Sequence, residues 1–399
     1  MLLNGIRIIN FCHFLQGPAG AQYLADMGAD VIKVEPIAGA HERRWSGADV
    51  FVEGISGFYL CANRNNRSIG IDLKHPDGVE VAKRLIASAD VVMENFRPGV
   101  FAKLGFDDET LKALNPNLIY ASASGFGSSG PMAFKPGQDL LVQARSGLMS
   151  VTGTPETGPT GVGSAVVDQH GGALFALGIL GALVRKLRTG KGTRVEASLL
   201  NSGIDLQQEP LVNFLAGNVT RTALQRDKHL ATWFHAAPYG VYAAKDGHAV
   251  ISLNELKNLS DALDDGTLME LASLHPYGDR DTYARRIAAA VAGFTMHELE
   301  ARFDSRSIWW APIKYYDELL EDPQVKHLGV FCEVKVKGRT IHLVNHPNKY
   351  DGQTPDLRVL ALEIGEHTEE VLREAGYSAE DIGGLLSSKA VVSSRSGAA

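Results

Sequence analysis

The order of apolar and polar positions divides the start of the chain into short strands and amphipathic helices. An apolar, β-branched stretch at 3–11 is followed by a glycine-bearing turn at 15–20, a helical pattern and a buried strand at 31–34. This order predicts a βαβ unit and therefore an α/β fold with a parallel sheet. The first turn carries no G-x-G-x-x-G motif, so the residues themselves give only weak support for a dinucleotide site.

The same pattern continues further along the chain. It predicts strands at 68–73, 90–94 and 117–125 and a helix at 77–88. Ligands bind beyond the carboxyl ends of parallel strands in open α/β sheets, which directs attention to the loop that begins Asn95-Phe96-Arg97. The basic residues in this region are numerous enough to meet the phosphates of a nucleotide-bearing ligand, although each one is also typical of solvated surface charge.

The segment 161–192 combines an acid, two glycines and a long apolar run. Asp168 stands ahead of Gly171 and Gly172, and the run ends in basic residues, which predicts a buried helix with an acid at its start and cations at its end. We expect Asp168 to stay ionised there and the glycines to let a ligand or another backbone approach closely. An ordinary helix cap has the same pattern, so the residues alone leave the role of Asp168 undecided. A second glycine-rich loop leads to Asp139, and the two loops bracket one predicted pocket.

The pattern changes near residue 239. A hairpin is predicted around Asp246-Gly247, and helical stretches follow to about 303. This order favours a second, smaller α+β domain with an antiparallel sheet.

Composition narrows the function classes. The formal net charge is −7 at pH 7, without the basic excess typical of a nucleic-acid binder. The three cysteines and the scattered histidines have no metal-ligand or disulfide spacing. No signal peptide is recognised, and the apolar run 171–184 is too short to span about 30 Å of hydrocarbon. We therefore expect a cytoplasmic protein without a metal, a membrane span or a nucleic-acid partner.

Several motifs together resemble the class III CoA-transferase family, whose members include formyl-CoA and carnitine CoA-transferases and α-methylacyl-CoA racemase. They are LQGPAGAQYLADMGADVIKVE, NRNNRSIGIDLKHPDG, ENFRPGV, GFGSSGP, KPGQD and GALVRKLRTGKG, and the similarity runs nearly end to end. The resemblance implies a Rossmann-like large domain formed by both chain ends, a small α+β domain between them, and an intertwined homodimer. It places the large domain at 1–204, a crossing linker at 205–235, the small domain at 236–325 and a return segment at 326–399.

The resemblance also implies a chemistry. Coenzyme A would move from an acyl-CoA thioester to a carboxylic acid acceptor through an anhydride and a thioester of Asp168, without a metal or NAD. Asp139 matches a second acidic position of the site, and Gln138 precedes it. The residues implied to hold CoA are Gln16, Arg43, Leu73, Asn95, Phe96, Arg97, Lys103 and Lys135. Relatives often carry an arginine shortly after KVE, where this chain has Pro36-Ile37, so Arg43 is expected to substitute.

Two alternatives stay open at this point. An α-methylacyl-CoA racemase would share the fold and move an α-proton with a histidine, but Gln138 occupies the matching position and has no titratable proton. The racemases' small-domain glutamate falls on Asn254. A CoA-thioester hydrolase is the third possibility, and the sequence names neither donor nor acceptor.

Overall fold

The computed structural model describes residues 1–394 of the chain. The chain forms two compact units: unit 1 comprises 1–142, 164–206 and 323–394, and unit 2 comprises 143–163 and 207–322. The first residues of the chain and its last described residues thus belong to the larger unit. Two sequence-based assignments differ from this division. Residues 143–163 belong to unit 2 rather than to the large domain, and most of the expected linker, 207–235, is part of unit 2.

The strands are short, as their sequence patterns predict. They are β1 Arg7–Asn10, β2 Asp30–Glu35, β3 Phe51–Val52, β4 Ile55–Ser56, β5 Asn66–Ile71, β6 Val91–Glu94, β7 Ile119–Ser124, β8 Arg194–Ser198, β9 Gly240–Ala243, β10 His248–Ile251, β11 Trp310–Pro312, β12 Phe331–Val336, β13 Arg339–Val344 and β14 Val391–Val392.

The helices alternate with the strands through most of unit 1. They are α1 Gln16–Asp26, α2 Gly57–Ala62, α3 Pro76–Ala87, α4 Val100–Lys103, α5 Asp108–Leu114, α6 Asp139–Arg145, α7 Leu148–Val151, α8 Val166–Thr189, α9 Leu199–Asp205, α10 Gln208–Ala216, α11 Leu256–Ala262, α12 Arg280–Val291, α13 Met296–Asp304, α14 Tyr316–Leu319, α15 Pro323–Leu328, α16 Thr368–Glu374 and α17 Ala379–Ser387.

The central sheet of unit 1 has the order β14-β5-β2-β1-β6-β7-β8. All neighbours are parallel except β14, which runs antiparallel to β5. Counted along the chain, the parallel strands have the order 3-2-1-4-5-6 of doubly wound folds, which reverses direction between β1 and β6. The predicted α/β class is confirmed, and in folds of this kind ligands bind beyond the carboxyl ends of the strands where the order reverses, here β1 and β6.

Helices cover both faces of this sheet. The alternation of side chains along β1 sends Ile9 into the core with α3 and α16 and sends Ile8 into the core with α1 and α8. Strands buried on both faces read as apolar runs rather than as alternating patterns. This is why the sequence pattern identified them without motif information.

Unit 2 is built on the antiparallel sheet β9-β10-β11. The predicted hairpin is confirmed, because β9 and β10 pair on either side of Asp246-Gly247. Tyr242 and Ile251 point into a core that α12 and α13 close with Ile287 and Phe303.

Helix α8 has the charge pattern expected from the sequence. Asp168 lies in its first turn, Lys186 and Arg188 lie in its last turn, and Gly190 ends it with a φ of 70°. It is longer than the apolar run suggested. Within residues 1–394 it is the helix whose length and composition would also allow a membrane crossing, a test that the core helix of a soluble protein passes too. Phe175, Ile179 and Leu183 pack into the core of unit 1.

Candidate active site

Asp168 lies in the first turn of α8, two residues after the helix begins. The N-cap residue, Ala165, has no side chain that can cap the helix. The cap comes from α6 instead: Oδ1 of Asp139 accepts hydrogen bonds from the backbone N–H of Val167 at 2.8 Å and of Asp168 at 3.0 Å. The structure therefore brings Asp139 and Asp168 together, as the two-loop arrangement predicted, and Asp139 does the capping.

This arrangement corrects the expectation that Asp168 stays firmly ionised. Burial, and then the charge of Asp139, raise the pKa of Asp168 from 3.8 to about 7. The orphan amides of a helix start would favour the ionised form, but those of Val167 and Asp168 already donate to Asp139. The remaining first-turn amides are also used, since Val166 donates to Ser164 and Gln169 donates to Ala165. Asp168 is thus a carboxyl group that is half protonated near neutral pH.

The two glycines after Asp168 serve close packing against α1. A Cβ atom on Gly172 would lie 2.9 Å from the carbonyl oxygen of Gln16, and one on Gly171 would lie 2.9 Å from Nε2 of Gln16. The backbone of α1 therefore fills the space beside Gly172, and the side chains of Gln16 and Ser202 fill the space beside Gly171, so neither glycine leaves an open approach for a ligand.

Gln16 has a side chain with an unused donor. Its Nε2 atom is buried and has no hydrogen-bond partner within the described part of the chain. Gly171, beside it, lies three residues after Asp168 and therefore on the same face of α8. An unsatisfied buried donor costs free energy, and a polar ligand group at this place would satisfy it.

Asn95 connects the loops that follow β1 and β6. Its Oδ1 atom accepts from the backbone N–H of His13 at 2.8 Å, and its Nδ2 atom donates to the carbonyl oxygen of His13 at 2.7 Å. The ring of Phe96 has its centroid 5.5 Å from that of His13 and 6.0 Å from that of Phe101. Asn95 and Phe96 therefore lie at the crevice of the sheet, where Asn95 fixes the loop geometry.

The predicted basic residues lie in different environments. Arg97, Lys103 and Lys135 are exposed, and Arg97 lines a cavity of about 730 Å³ beside β6, β7 and β8. Gln138 is also exposed, directly ahead of α6. These exposed side chains are accessible to a ligand.

Arg43 and Leu73, which were also expected to hold CoA, have side chains that make contacts within the fold. The guanidinium of Arg43 is buried and donates to Glu35 at 2.6 and 2.7 Å, to the hydroxyl of Tyr59 at 2.6 Å, and to carbonyl oxygens of 361–363. A contact between Arg43 and CoA would have to displace these bonds. Leu73 packs against the core of the sheet.

Two residues at strand ends were not identified from the sequence. The carboxyl of Glu94, at the end of β6, accepts from the amide of Phe96 at 2.8 Å and from the hydroxyl of Tyr120 at 3.1 Å, and burial raises its pKa to about 7. Burial, followed by the charge of Lys33, lowers the pKa of His13 to about 4. The strand-end rule that selected Asn95 applies equally to both positions.

Comparison with known proteins assigns the chain to a family. The sequence profile of CoA-transferase family III matches residues 3–368, nearly the whole described chain. The chain belongs to CoA-transferase family III.

Individual CoA-transferases are similar over nearly their full length. The succinate–glutarate CoA-transferase of Agrobacterium fabrum is 32% identical over 93% of this chain and 95% of that protein. The human succinyl-CoA:glutarate CoA-transferase is 30% identical over 98% of this chain and 90% of its own. Among solved structures, a CAIB/BAIF family protein from Brucella suis superposes with a TM-score of 0.81 at 30% identity, covering 93% of this chain and 98% of that one. The resemblance seen in the motifs is confirmed, and the chain is a CoA-transferase with CoA thioesters as substrates.

Proposed function

We propose that Asp168 is the nucleophile of this CoA-transferase. An oxygen of its carboxylate attacks the carbonyl carbon of the acyl-CoA thioester, the C–S bond breaks, and CoA leaves as a thiolate from a mixed acyl-aspartyl anhydride. The thiolate attacks the aspartyl carbonyl and releases the donor acid, giving an aspartyl thioester. The acceptor carboxylate attacks the aspartyl carbonyl, the C–S bond breaks, and CoA leaves as a thiolate, which gives a second mixed anhydride. The thiolate then attacks the acyl carbon of the acceptor, which gives the product thioester and releases the carboxylate of Asp168.

The observation that carries this proposal is the environment of the Asp168 carboxyl group. It is poorly hydrated, lies beside Asp139, and accepts no side-chain or backbone hydrogen bond among residues 1–394. A carboxylate without donors keeps its lone pairs available for attack, and its desolvation raises its reactivity. The ionised fraction near pH 7 is sufficient for chemistry at neutral pH.

The oxyanion that forms on attack needs a donor. Within α8 the glycine amides belong to the helix, and the first-turn amides are already used. We assign the role to Nε2 of Gln16, because it is the buried donor without a partner beside Gly171. A preorganised donor of this kind stabilises charge that develops in the transition state.

Coenzyme A would lie along the crevice beyond β1 and β6. Phe96 offers an apolar surface there, and Arg97, Lys103 and Lys135 are exposed cations that suit the phosphates of CoA. We keep Arg43 and Leu73 outside this contact set, because both side chains are used within the fold.

The acids exchanged are proposed to be small dicarboxylates. The similar CoA-transferases are named for succinate and glutarate, which share two carboxylates on a short chain. One carboxylate would react at Asp168, and the second would determine specificity.

The protein is further proposed to act as a homodimer. Leu177, Val184 and Leu187 are 64%, 49% and 76% exposed and form one apolar stripe along α8. Stripes of this kind on a soluble chain mark contact surfaces, and a second copy is the commonest partner.

Trapping of the covalent intermediate tests the nucleophile. After incubation with succinyl-CoA, hydroxylamine should convert Asp168 to a hydroxamate that peptide mass spectrometry locates. Asp168→Asn should lose both labelling and transfer, whereas Asp139→Asn, the matched control, should still be labelled at Asp168. Labelling at Asp139, or a fully active Asp168→Asn variant, would disprove the assignment.

A separate incubation distinguishes CoA transfer from the removal of an α-proton by a racemase. In deuterated water, a chiral α-methylacyl-CoA should be recovered without deuterium at its α-carbon. Rapid deuterium uptake would identify racemase activity instead.

A further inference from the structure

Unit 2 contains a cavity that plays no part in the chemistry described above. It has a volume of about 430 Å³ and lies between the loop 150–159 and the segment 221–226. The residues that line it include Arg221, Arg226, Ser150, Thr154 and Thr222. Within the described chain, no aspartate or glutamate lines this cavity, so its electrostatic character is positive.

Arg226 is a buried cation that carbonyl groups alone satisfy. Only 6% of the residue is exposed. Its Nε atom donates to the carbonyl oxygen of Leu230 at 3.0 Å, one terminal nitrogen donates to that of Val151 at 2.9 Å, and the other to that of Leu224 at 3.4 Å. A guanidinium has five N–H groups. Both the full charge and part of the donor capacity of Arg226 therefore remain unmatched.

A second arginine makes this charge more costly. The terminal nitrogens of Arg280 donate to the carbonyl oxygens of Tyr277, Ala223 and Gln225, while its Nε atom is buried without a partner in residues 1–394. Burial and then the charge of Arg280 lower the pKa of Arg226. Two guanidiniums that lack a carboxylate partner and repel each other raise the free energy of the folded unit, and a bound anion would relieve this repulsion.

The nearby carboxylates are occupied elsewhere. Asp227 pairs with Arg285 at 3.2 Å, and Asp281 accepts from the backbone N–H of Asp227 at 3.0 Å. Glu156, on the loop itself, is fully exposed, bonds the side chain of Thr154 and lies near Lys228. No carboxylate of the described chain lies within ion-pair distance of Arg226. A counter-ion for Arg226 would therefore come from outside the described chain.

The wall opposite the arginines is preformed. The backbone N–H of Gly158 donates to the carbonyl oxygen of Thr154 at 2.8 Å, and that of Thr154 donates to Oγ1 of Thr157 at 2.9 Å. Gly158 adopts a φ of 69°, a conformation that glycine adopts without strain. These hydrogen bonds hold the loop in one conformation in the absence of a ligand.

We propose that this cavity binds a small oxyanion, of the phosphate or carboxylate class, through Arg221 and Arg226. The planar guanidinium matches two oxygens of such a group at once, and it is less strongly hydrated than an ammonium group. The hydroxyls of Ser150, Thr154 and Thr222 supply further donors on the same walls. The site is independent of Asp168, so it stands whether or not the nucleophile has been assigned correctly.

Binding is tested on the full chain with two anions and one salt control. Sodium phosphate and sodium succinate are titrated separately, with sodium chloride added to equal ionic strength, and the melting temperature is followed. A ligand that binds only the folded state raises the melting temperature as its concentration exceeds the dissociation constant. We expect saturable stabilisation by at least one anion, and only the part that Arg221→Gln weakens is assigned to this cavity, since succinate also fits the active site and phosphate also fits the cations proposed for CoA. If only the phosphate effect depends on Arg221, the cavity is a phosphate site; if only the succinate effect does, it is a carboxylate site.

Variants connect the effect to the cavity. Arg221 is exposed, so the Arg221→Gln variant should fold normally. It should bind the stabilising anion about 10-fold more weakly, which corresponds to the loss of one charge-assisted hydrogen bond. Arg306→Gln, a change of equal charge at another exposed arginine of unit 2, should leave the dissociation constant unchanged. Asp168→Asn should also leave it unchanged, which separates this site from acceptor binding at the active site. No saturable stabilisation by either anion, or stabilisation that Arg221→Gln does not alter, would overturn the proposal.

Discussion

At the scale of single residues, the pair Asp139 and Asp168 is the most consequential arrangement in the molecule. One carboxylate caps the helix, and the other is left with a pKa of about 7. A buried carboxyl group whose pKa is raised to near neutrality is typical of catalytic sites. Two acids are present because one carboxylate caps the helix and the other is left for the reaction.

The pH dependence of activity follows from this pair. The nucleophile must be ionised, so kcat/KM should rise with pH and reach half its maximum near pH 7. In Asp139→Asn the amide oxygen still caps α8, but the negative charge is gone, so the pKa of Asp168 falls and the midpoint moves to lower pH. Profiles of kcat/KM against pH for both proteins measure this, and a midpoint that stays or moves upward would contradict it.

The same shift affects stability. The pKa of Asp168 is raised above the value of 3.8 that it has in the unfolded chain, so the folded state binds more protons between pH 4 and pH 7. The free energy of unfolding therefore falls as pH rises through this window, and the contribution is absent above it. Asp168→Asn should be more stable than the native protein at pH 8, by an amount on the order of 1 kcal/mol.

Thermal unfolding at two pH values checks this expectation. At pH 4, where Asp168 is protonated in the folded protein, the variant and the native protein should melt at similar temperatures. A variant that melts below the native protein at pH 8 would show that the ionised carboxyl group stabilises the fold.

At the scale of elements, the contact between α1 and α8 positions Asp168 and Gln16. Gly172 lets the backbones approach, since a Cβ atom there would lie 2.9 Å from the carbonyl oxygen of Gln16 and 2.9 Å from Cβ of Ala19. Gly172→Ala should destabilise unit 1 by about 1–3 kcal/mol, because backbone atoms cannot make room as a flexible side chain can. Urea unfolding measures the change.

Gly383→Ala provides the matched control for this packing. Gly383 lies inside α17, and a Cβ atom there meets nothing within 4 Å. Alanine should stabilise this helix by about 0.5–1 kcal/mol. If both variants changed the free energy of unfolding in the same direction, helix propensity rather than packing would explain the effect of Gly172→Ala.

The sequence predicted the elements better than it predicted the partners of individual side chains. The parallel strands, the hairpin of unit 2 and the acid at the start of α8 are readable from periodicity and local motifs. The hydrogen bonds of Arg43 within the fold could not be predicted in this way, because its partners include carbonyl groups of 361–363, more than 300 positions further along the chain. The capping by Asp139 is likewise a contact between helices that no local pattern encodes.

The unit boundary near 142 was hidden for a related reason. Helix α6 runs from Asp139 to Arg145 and therefore crosses the boundary without a break. Boundaries are recognised in a sequence by linkers rich in glycine, proline or polar residues, and a continuous helix gives no such signal. From the sequence alone, the segment 143–163 is therefore assigned to the large domain.

At the scale of the whole molecule, the apolar stripe on α8 should decide the oligomeric state. We expect the native protein to be a dimer by size-exclusion chromatography with light scattering. Leu177→Glu places a charge in the stripe and should shift the population towards the monomer, since a buried unpaired charge is costly. Lys112→Glu, an exposed change on α5, should leave the mass unchanged; a monomeric native protein would refute the proposed dimer.

The last elements of the chain have a consequence for how the protein is made. β14 adds an edge strand to β5, and Val371, Leu372 and Ile382 of α16 and α17 enter the core beside β1. A ribosome delivers these pieces more than 300 residues after β1 has emerged, and a core that depends on them cannot close earlier. Synthesis must therefore have passed β14 before the core of unit 1 is complete, and a nascent chain stalled in unit 2 would expose the open edge of β5 to chaperones or to aggregation.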